Sequence, residues 1–300
     1  MARIISIGTT QHIDLIKAKL GRELKLFERD GLKINLEESP AGKFTFLSCC
    51  LVDFRENGCT EEDIQVILKN YIAEIISDII MSHWEAFLLE NIIRENYYYF
   101  GNEEKKIIYD YATMHINSKL EEEPWKSVYW VNRKNKILQK ISEFLNFNNH
   151  IVIDGFIRFR LKEYLSELRE AADKAVDDFL MEREYKEFIQ LLKYFVEIQE
   201  PQIDIVHVLI NSSGVFKLFD GNMRPIRSDC LGGFILDLMD SEVNYEDLLI
   251  GVLVTVAPKK ITLHYKKDKW KQAMETINNV FAGRVNECVG CHLCNPLLNN

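Results

Sequence analysis

Up to about Gly58 the chain alternates between β-type and helix-type patterning. The β-branched run RIISIG ends at Gly8, and Thr9 or Thr10 stands where a helix cap is wanted. Apolar residues then recur at helical spacing from Ile13 to Arg29, and Gly31 suits the left-handed position after a helix end. KINLEE and FTFLSCCLVDF flank the turn-forming SPAG and read as a hairpin. Along its second arm Phe44, Phe46, Cys50, Val52 and Phe54 share one face, and Leu47, Cys49 and Leu51 share the other. Both faces are apolar, so this strand is expected inside a sheet and covered on both sides.

From Thr60 to Glu200 the period changes to 3.6. Thr60 can cap a helix whose first turn carries Glu61, Glu62 and Asp63, and the apolar spacing then continues to about Asn96 without Gly or Pro. YFGNEEKK breaks the pattern, and EEEPWKS around Pro124 predicts a loop. The strongest helical stretch follows, with Leu161, Leu165, Leu168, Ala172, Ala175 and Phe179 in one stripe and Pro201 beyond its end. Such a stripe could seat a partner helix, but in a chain with several long helices burial in its own bundle is the preferred reading.

After Pro201 α/β patterning returns. IDIVHVLI and KKITLHY read as strands, and VFKLFDGNMRPI places Asp220-Gly221 at a turn. YEDLLIGVLVTVA is ambiguous between periods and is read as a helix. Asp268 is placed to cap KWKQAMETINNVF, which Gly283 stops. The expected fold is α+β, with mixed sheet elements at the N- and C-terminal ends and a central helical bundle. Four segments follow: 1–58, a small α/β unit; 59–200, helical; 201–283, a second α/β unit; and 284–300, a cysteine-rich tail.

Composition narrows the functional classes. With 37 Lys and Arg against 46 Asp and Glu, the net charge is −9, which is ill suited to neutralising a phosphate backbone, so nucleic acid is not the expected partner. The segment MARIISIGTTQHIDLIKAKL lacks the cationic start, apolar core and cleavage site of a secretory signal. The longest apolar run, LLIGVLVTVA, is about half a membrane span, so no membrane insertion is expected. A cytoplasmic protein is expected, and in that reducing compartment its seven cysteines are not expected to form a disulfide framework, while clustered ones favour metal or catalytic roles.

Phosphate-loop, nucleophile-elbow and H-E-x-x-H patterns are absent, and CLGGF, with Gly232 and Gly233, is a turn and not a dinucleotide fingerprint. FIRFR interleaves Arg158 and Arg160 with Phe156 and Phe159, an arrangement that can stack nucleobases. Residues 161–200 hold six Lys and Arg against eleven Asp and Glu, so pairing of those arginines with nearby carboxylates is preferred. Lys259, Lys260, Lys266, Lys267, Lys269 and Lys271 form the most basic stretch, read as a solvated surface before an anion-binding one. Cys49 and Cys50 are neighbours in a strand, point to opposite faces and read as core. Histidines such as His83, set singly in apolar patterns, read as core or boundary residues.

ECVGCHLCN stands apart. Cys288, Cys291 and Cys294 recur at three-residue intervals, a spacing that lets thiolates converge on one cation. Zinc is the leading cofactor expectation and an iron–sulfur cluster the alternative, although the fourth cysteine of a C-x2-C-x2-C-x3-C-P run is absent. A thiol–disulfide role, or three thiols on a plain tail, stays open. A closed zinc site needs a fourth ligand. His292 is one candidate, awkward because it adjoins Cys291; Cys230, Cys59 or a second chain are others.

The segment IVIDGFIRFRLKEYLSELREAADKAVDDFLMEREYKEFIQLLKYFVEIQEP resembles the YtxC-like sporulation protein family of endospore-forming Firmicutes. The similarity extends over nearly the whole chain, from the IGTTQHID start to the cysteine-bearing end, with the central block the specific part. The resemblance implies a cytoplasmic protein associated with sporulation and carries over no catalytic residue. The expected function is a non-enzymatic interaction factor with a protein partner and a metal-binding tail at Cys288, Cys291, Cys294 and His292. A redox-active or iron–sulfur protein is the alternative.

Overall fold

The computed structural model describes residues 2–29, 32–54, 60–118, 126–211, 216–226, 245–265, 270–291 and 294. The chain divides into two compact units, Met1–Leu180 and Met181–Asn300. The fold is α+β, with a mixed four-stranded sheet in each unit among the described residues.

In the first unit β1 (Ala2–Thr9) leads into α1 (Ile13–Arg29), and β2 (Leu32–Ala41) and β3 (Phe44–Phe54) form the hairpin. Its turn is Gly42–Lys43, two residues later than SPAG alone suggests, because β2 continues through Ser39-Pro40-Ala41. β2 lies at the sheet edge, where a proline without an N–H interrupts no central ladder. β3 lies between β2 and β1, and both Cys49 and Cys50 are buried, as its two apolar faces require. Burial, with Cys50 adding to it, pushes the Cys49 thiol up to about 12, so it packs as an uncharged side chain.

The helices α2 (Glu61–Ile79), α3 (Glu85–Asn96), α4 (Asn102–Ser118) and α5 (Lys126–Phe147) follow. Thr60 caps α2 reciprocally: its hydroxyl accepts the Asp63 N–H, and the Asp63 carboxylate accepts the Thr60 N–H. A π-helical turn, Ile80–Trp84, separates α2 from α3 where the pattern predicts one continuous helix. The Ser77 and Ser82 hydroxyls bond the carbonyls of Glu74 and Asp78 there, a competition that loosens a helical ladder.

A three-residue strand, β4 (His150–Val152), pairs in parallel with β1 and completes the order β2-β3-β1-β4. It lies inside the segment read as helical, being too short to show a period of two. Segment 1–58 and the part of 59–200 that lies in this unit thus share one core, in which Ile5, Ile7 and Leu47 meet Ile72, Ile76, Ile141 and Leu168, whereas Val196 belongs to the core of the second unit. The strong helical stretch is two helices, α6 (Ile153–Arg160) and α7 (Lys162–Ile198), parted at Leu161. The stripe from Leu161 to Phe179 is turned into this unit's own core, and Phe179 meets the ring of Phe100 edge-on at 5.5 Å.

One charged cluster is buried with this core. Arg133 is 6% exposed, bonds the Glu85 carboxylate and lies 3.6 Å from Glu167. The Tyr164 hydroxyl donates to Glu85 at 2.8 Å; burial first, then Glu85, raise its pKa well above the ordinary phenol value.

In the second unit β5 (Ile205–Ile210), β6 (Phe216–Asp220), α8 (Tyr245–Val256), β7 (Lys260–His264), α9 (Lys271–Val280) and β8 (Val285–Glu287) give the sheet order β6-β5-β7-β8. The ambiguous Tyr245 segment is a helix. α9 takes Trp270, at φ +70°, as its N-cap with no side-chain cap bond, and Asp268 lies outside the described residues. Gly283, at φ +78°, turns the chain after α9 as expected. The segment read as tail begins with the edge strand β8, parallel to β7 in the register Ile261↔Val285 to Leu263↔Glu287. Val206, Val208, Ile210, Ile261 and Leu263 face a core filled by Leu249, Leu253, Ile277 and Phe281. Among the described residues no helix is long and apolar enough to cross a membrane. Gly31, Pro124 and the CLGGF glycines lie outside the described residues.

Replacing Glu85 with alanine strips the buried Arg133 guanidinium of its nearest carboxylate and is expected to cost about 3 kcal/mol in urea unfolding of the first unit. The paired replacement Arg133→Met with Glu85→Leu is expected to recover most of that loss. A cost under about 1 kcal/mol for Glu85→Ala, the level of exposed ion pairs, would contradict a buried-charge cluster.

Candidate metal centre

The parallel strands of the second unit set the site. β5 and β7 pair Val206 with Ile261 and Val208 with Leu263 on the core face, which leaves His207, Leu209, Thr262 and His264 on the opposite face. His264 is the last residue of β7 and is 2% exposed. β8 runs beside β7 with an offset of 24 residues, so the next position after its last pair, Leu263↔Glu287, sets Cys288 beside His264. The Cys288 N–H extends the ladder by donating to the Leu263 carbonyl at 3.0 Å, and the Tyr265 hydroxyl clasps Glu287 at 2.8 Å.

Gly290, at φ +133°, then reverses the chain in a conformation that a Cβ would oppose. The Cys294 N–H closes a turn on the Cys291 carbonyl at 3.0 Å, so both sulfurs point back to β7. The outcome is a compact group of four. His264 Nδ1 lies 3.4 Å from Cys294 Sγ and 3.5 Å from Cys291 Sγ; the Cys291–Cys294 and Cys288–Cys294 sulfur pairs are 3.8 and 3.7 Å apart. All four ligand atoms lie within 4.8 Å of one another.

These lengths fit a single tetrahedral ion. Bonds of about 2.3 Å to sulfur and about 2.0 Å to nitrogen put sulfur pairs about 3.8 Å apart and sulfur–nitrogen pairs about 3.6 Å apart. The group could hold a metal ion. Burial first, with the Cys288 and Cys291 sulfurs adding to it, pushes the Cys294 thiol up to about 11. A cation must therefore displace protons as it binds.

The structure thus brings Cys288, Cys291 and Cys294 together with His264, which the local sequence presents as one more histidine in an apolar strand. His292 lies outside the described residues, as do Cys59 and Cys230. The signal for His264 was present but long-range: IVHVLI and ITLH each carry a histidine where the strand pattern calls for an apolar or small residue. Only the 24-residue register connects one of them to Cys288.

Other singled-out residues have other surroundings. Arg158 and Arg160 are exposed and stack over the rings of Phe159 and Phe144, each at 5.8 Å, with no ion pair among the described residues. The expected pairing with carboxylates gives way to cation–π contact because α6 ends at Arg160, so the arginines do not continue the acidic face of α7. Lys259 pairs with Asp204 at 2.7 Å, and Lys266, Lys267 and Lys269 lie outside the described residues. His83 is exposed, with its ring 6.0 Å from that of His12.

The family model of the YtxC-like family matches residues 70–286. That span includes His207 and His264 and stops two residues before Cys288. A Bacillus subtilis (strain 168) protein named "Uncharacterized protein YtxC" is 28% identical over 195 residues, which cover 65% of this chain and 68% of that protein. No solved structure matches.

With zinc as the probe ion, His264→Ala is expected to weaken metal binding by at least about 10-fold, the size of loss that even supporting residues of metal sites produce, while His292→Ala leaves it within about 2-fold. Competition with a chromophoric chelator measures both. The reverse ranking would return the fourth position to His292.

Proposed function

The chain belongs to the YtxC-like family, and from that premise we propose that it is a cytoplasmic, sporulation-associated interaction factor, not an enzyme, whose C-terminal end is fastened by one zinc ion held by Cys288, Cys291, Cys294 and His264. The observation that carries the metal part is the set of four sulfur–sulfur and sulfur–nitrogen separations that match edges of one tetrahedron, with all four ligand atoms within 4.8 Å of one another.

Three thiolates and an imidazole saturate zinc. With four protein ligands no position is left for water or substrate, which is the pattern of structural zinc and not of catalytic zinc. The ligands also straddle the sheet: His264 sits on β7, and the other three follow β8. Zinc there would hold the last strand against its neighbour, where a three-residue ladder alone has few hydrogen bonds. Reduced thiolates suit a cytoplasmic setting. The link to sporulation rests on the family resemblance, and the protein partner on the scarcity of convergent polar groups elsewhere among the described residues.

An iron–sulfur cluster draws less support. In a four-iron cluster each cysteine binds its own iron, and in a two-iron cluster the four ligands are split between two irons, so in either the full ligand set is spread beyond the edge of a single-ion tetrahedron.

Metal analysis of anaerobically purified protein tests the reading: about one zinc per chain and a colourless solution are expected, with zinc lost from the Cys288→Ser/Cys291→Ser/Cys294→Ser variant. Less than about one-tenth equivalent of zinc and iron together would overturn it, and a brown, iron-bearing preparation would move the assignment to the cluster. Because the Cys294 thiol is held above its ordinary value, zinc binding is expected to release protons and the apparent affinity to rise between about pH 6 and pH 8. A pH-independent affinity would contradict thiolate ligation. In the organism that encodes the chain, heat-resistant spore counts are expected to fall when the triple variant replaces the wild type; equal counts would separate the site from sporulation.

A further inference from the structure

His264 has two ring nitrogens, and the geometry gives each one a task. Nδ1 faces the sulfurs of Cys291 and Cys294 at 3.5 and 3.4 Å. Nε2 lies 3.1 Å from Nδ1 of His207, with the two rings 5.4 Å apart and tilted by 37°. A cation bound at Nδ1 uses that nitrogen's lone pair, so the ring proton must reside on Nε2. His264 is 2% exposed, and a buried N–H without an acceptor would be costly. The Nδ1 lone pair of a neutral His207 is placed to accept it.

The placement follows from the ladder. Leu209 pairs with His264, and His207 is two residues earlier on the same face of β5. Both histidines sit on paired strands, which hold side-chain positions more closely than loops do.

We propose that His207 is a positioning residue of the metal centre: it accepts the Nε2–H of His264 and so fixes the tautomer and ring plane that present Nδ1 to the ion. This rests on the zinc reading above. Zinc-bound histidines generally donate their second N–H to a carboxylate, a carbonyl or water, and such partners support metal affinity. Here the partner is the imidazole of His207 from the neighbouring strand. β5 thereby joins β7 and β8 in building the centre, and His207 itself binds no metal.

The test uses the full chain with His207→Leu, which keeps bulk but has no acceptor, and His207→Asn, whose side-chain oxygen can accept. Zinc affinity is measured by chelator competition at fixed pH, with circular dichroism as a check on folding. His207→Leu is expected to bind zinc about 10- to 100-fold more weakly, and His207→Asn to recover most of the loss. Nitrogen-15 shifts of the zinc-loaded wild type are expected to show His264 with metal on Nδ1 and hydrogen on Nε2, and His207 with an unprotonated, hydrogen-bonded Nδ1; a proton on His207 Nδ1 would overturn the role of His207 even if His207→Leu does not fold. Unchanged affinity in folded His207→Leu, equal losses in both variants, or metal on Nε2 of His264 would overturn the role of His207 while leaving the centre intact. Wild-type protein that takes up no zinc would overturn both.

Discussion

Around the candidate centre the second unit depends on the parallel pairing of β7 with β8. It is a short ladder, Ile261↔Val285 to Leu263↔Glu287, and a slip of one residue would turn every side chain to the other face. In the observed register Ile261 and Leu263 enter the core, and the face opposite gathers His264 and the first cysteine. The turn from Gly290 to Cys294 then needs only to fold back. A cation bound there would reinforce the ladder, because the ligand set exists only in this register.

The first unit is organised differently. Its sheet closes with β4, contributed from about 150 residues along the chain, so helices and strands share one core. Arg133 is buried among Glu85, Glu167 and Tyr164, an arrangement whose worth lies in pairing and not in charge as such. The exposed arginines of FIRFR show the contrast, since at the surface aromatic stacking suffices to seat a guanidinium.

What could be read from the sequence was local. Helix α1, the Thr60 capping box, the Gly283 stop and the core stripe of α7 follow from spacing and cap chemistry within a few residues. β4 and β8, three residues each, are too short to declare a period and exist because neighbouring strands offer partners. The same limit governed the site. The regular spacing of Cys288, Cys291 and Cys294 was visible, whereas His264 becomes their neighbour only through strand pairing. His292, adjacent in sequence, was the natural candidate for want of that pairing, and it lies outside the described residues.

The centre, not the family, is where function can be tested most directly. X-ray absorption at the zinc edge of the metal-loaded full chain counts the ligands and measures their distances without substitution. Three sulfur scatterers at about 2.3 Å and one nitrogen at about 2.0 Å are expected, with no further oxygen in the first shell. A shell rich in oxygen, or one with fewer than three sulfurs, would contradict a closed site built by His264 and the three cysteines.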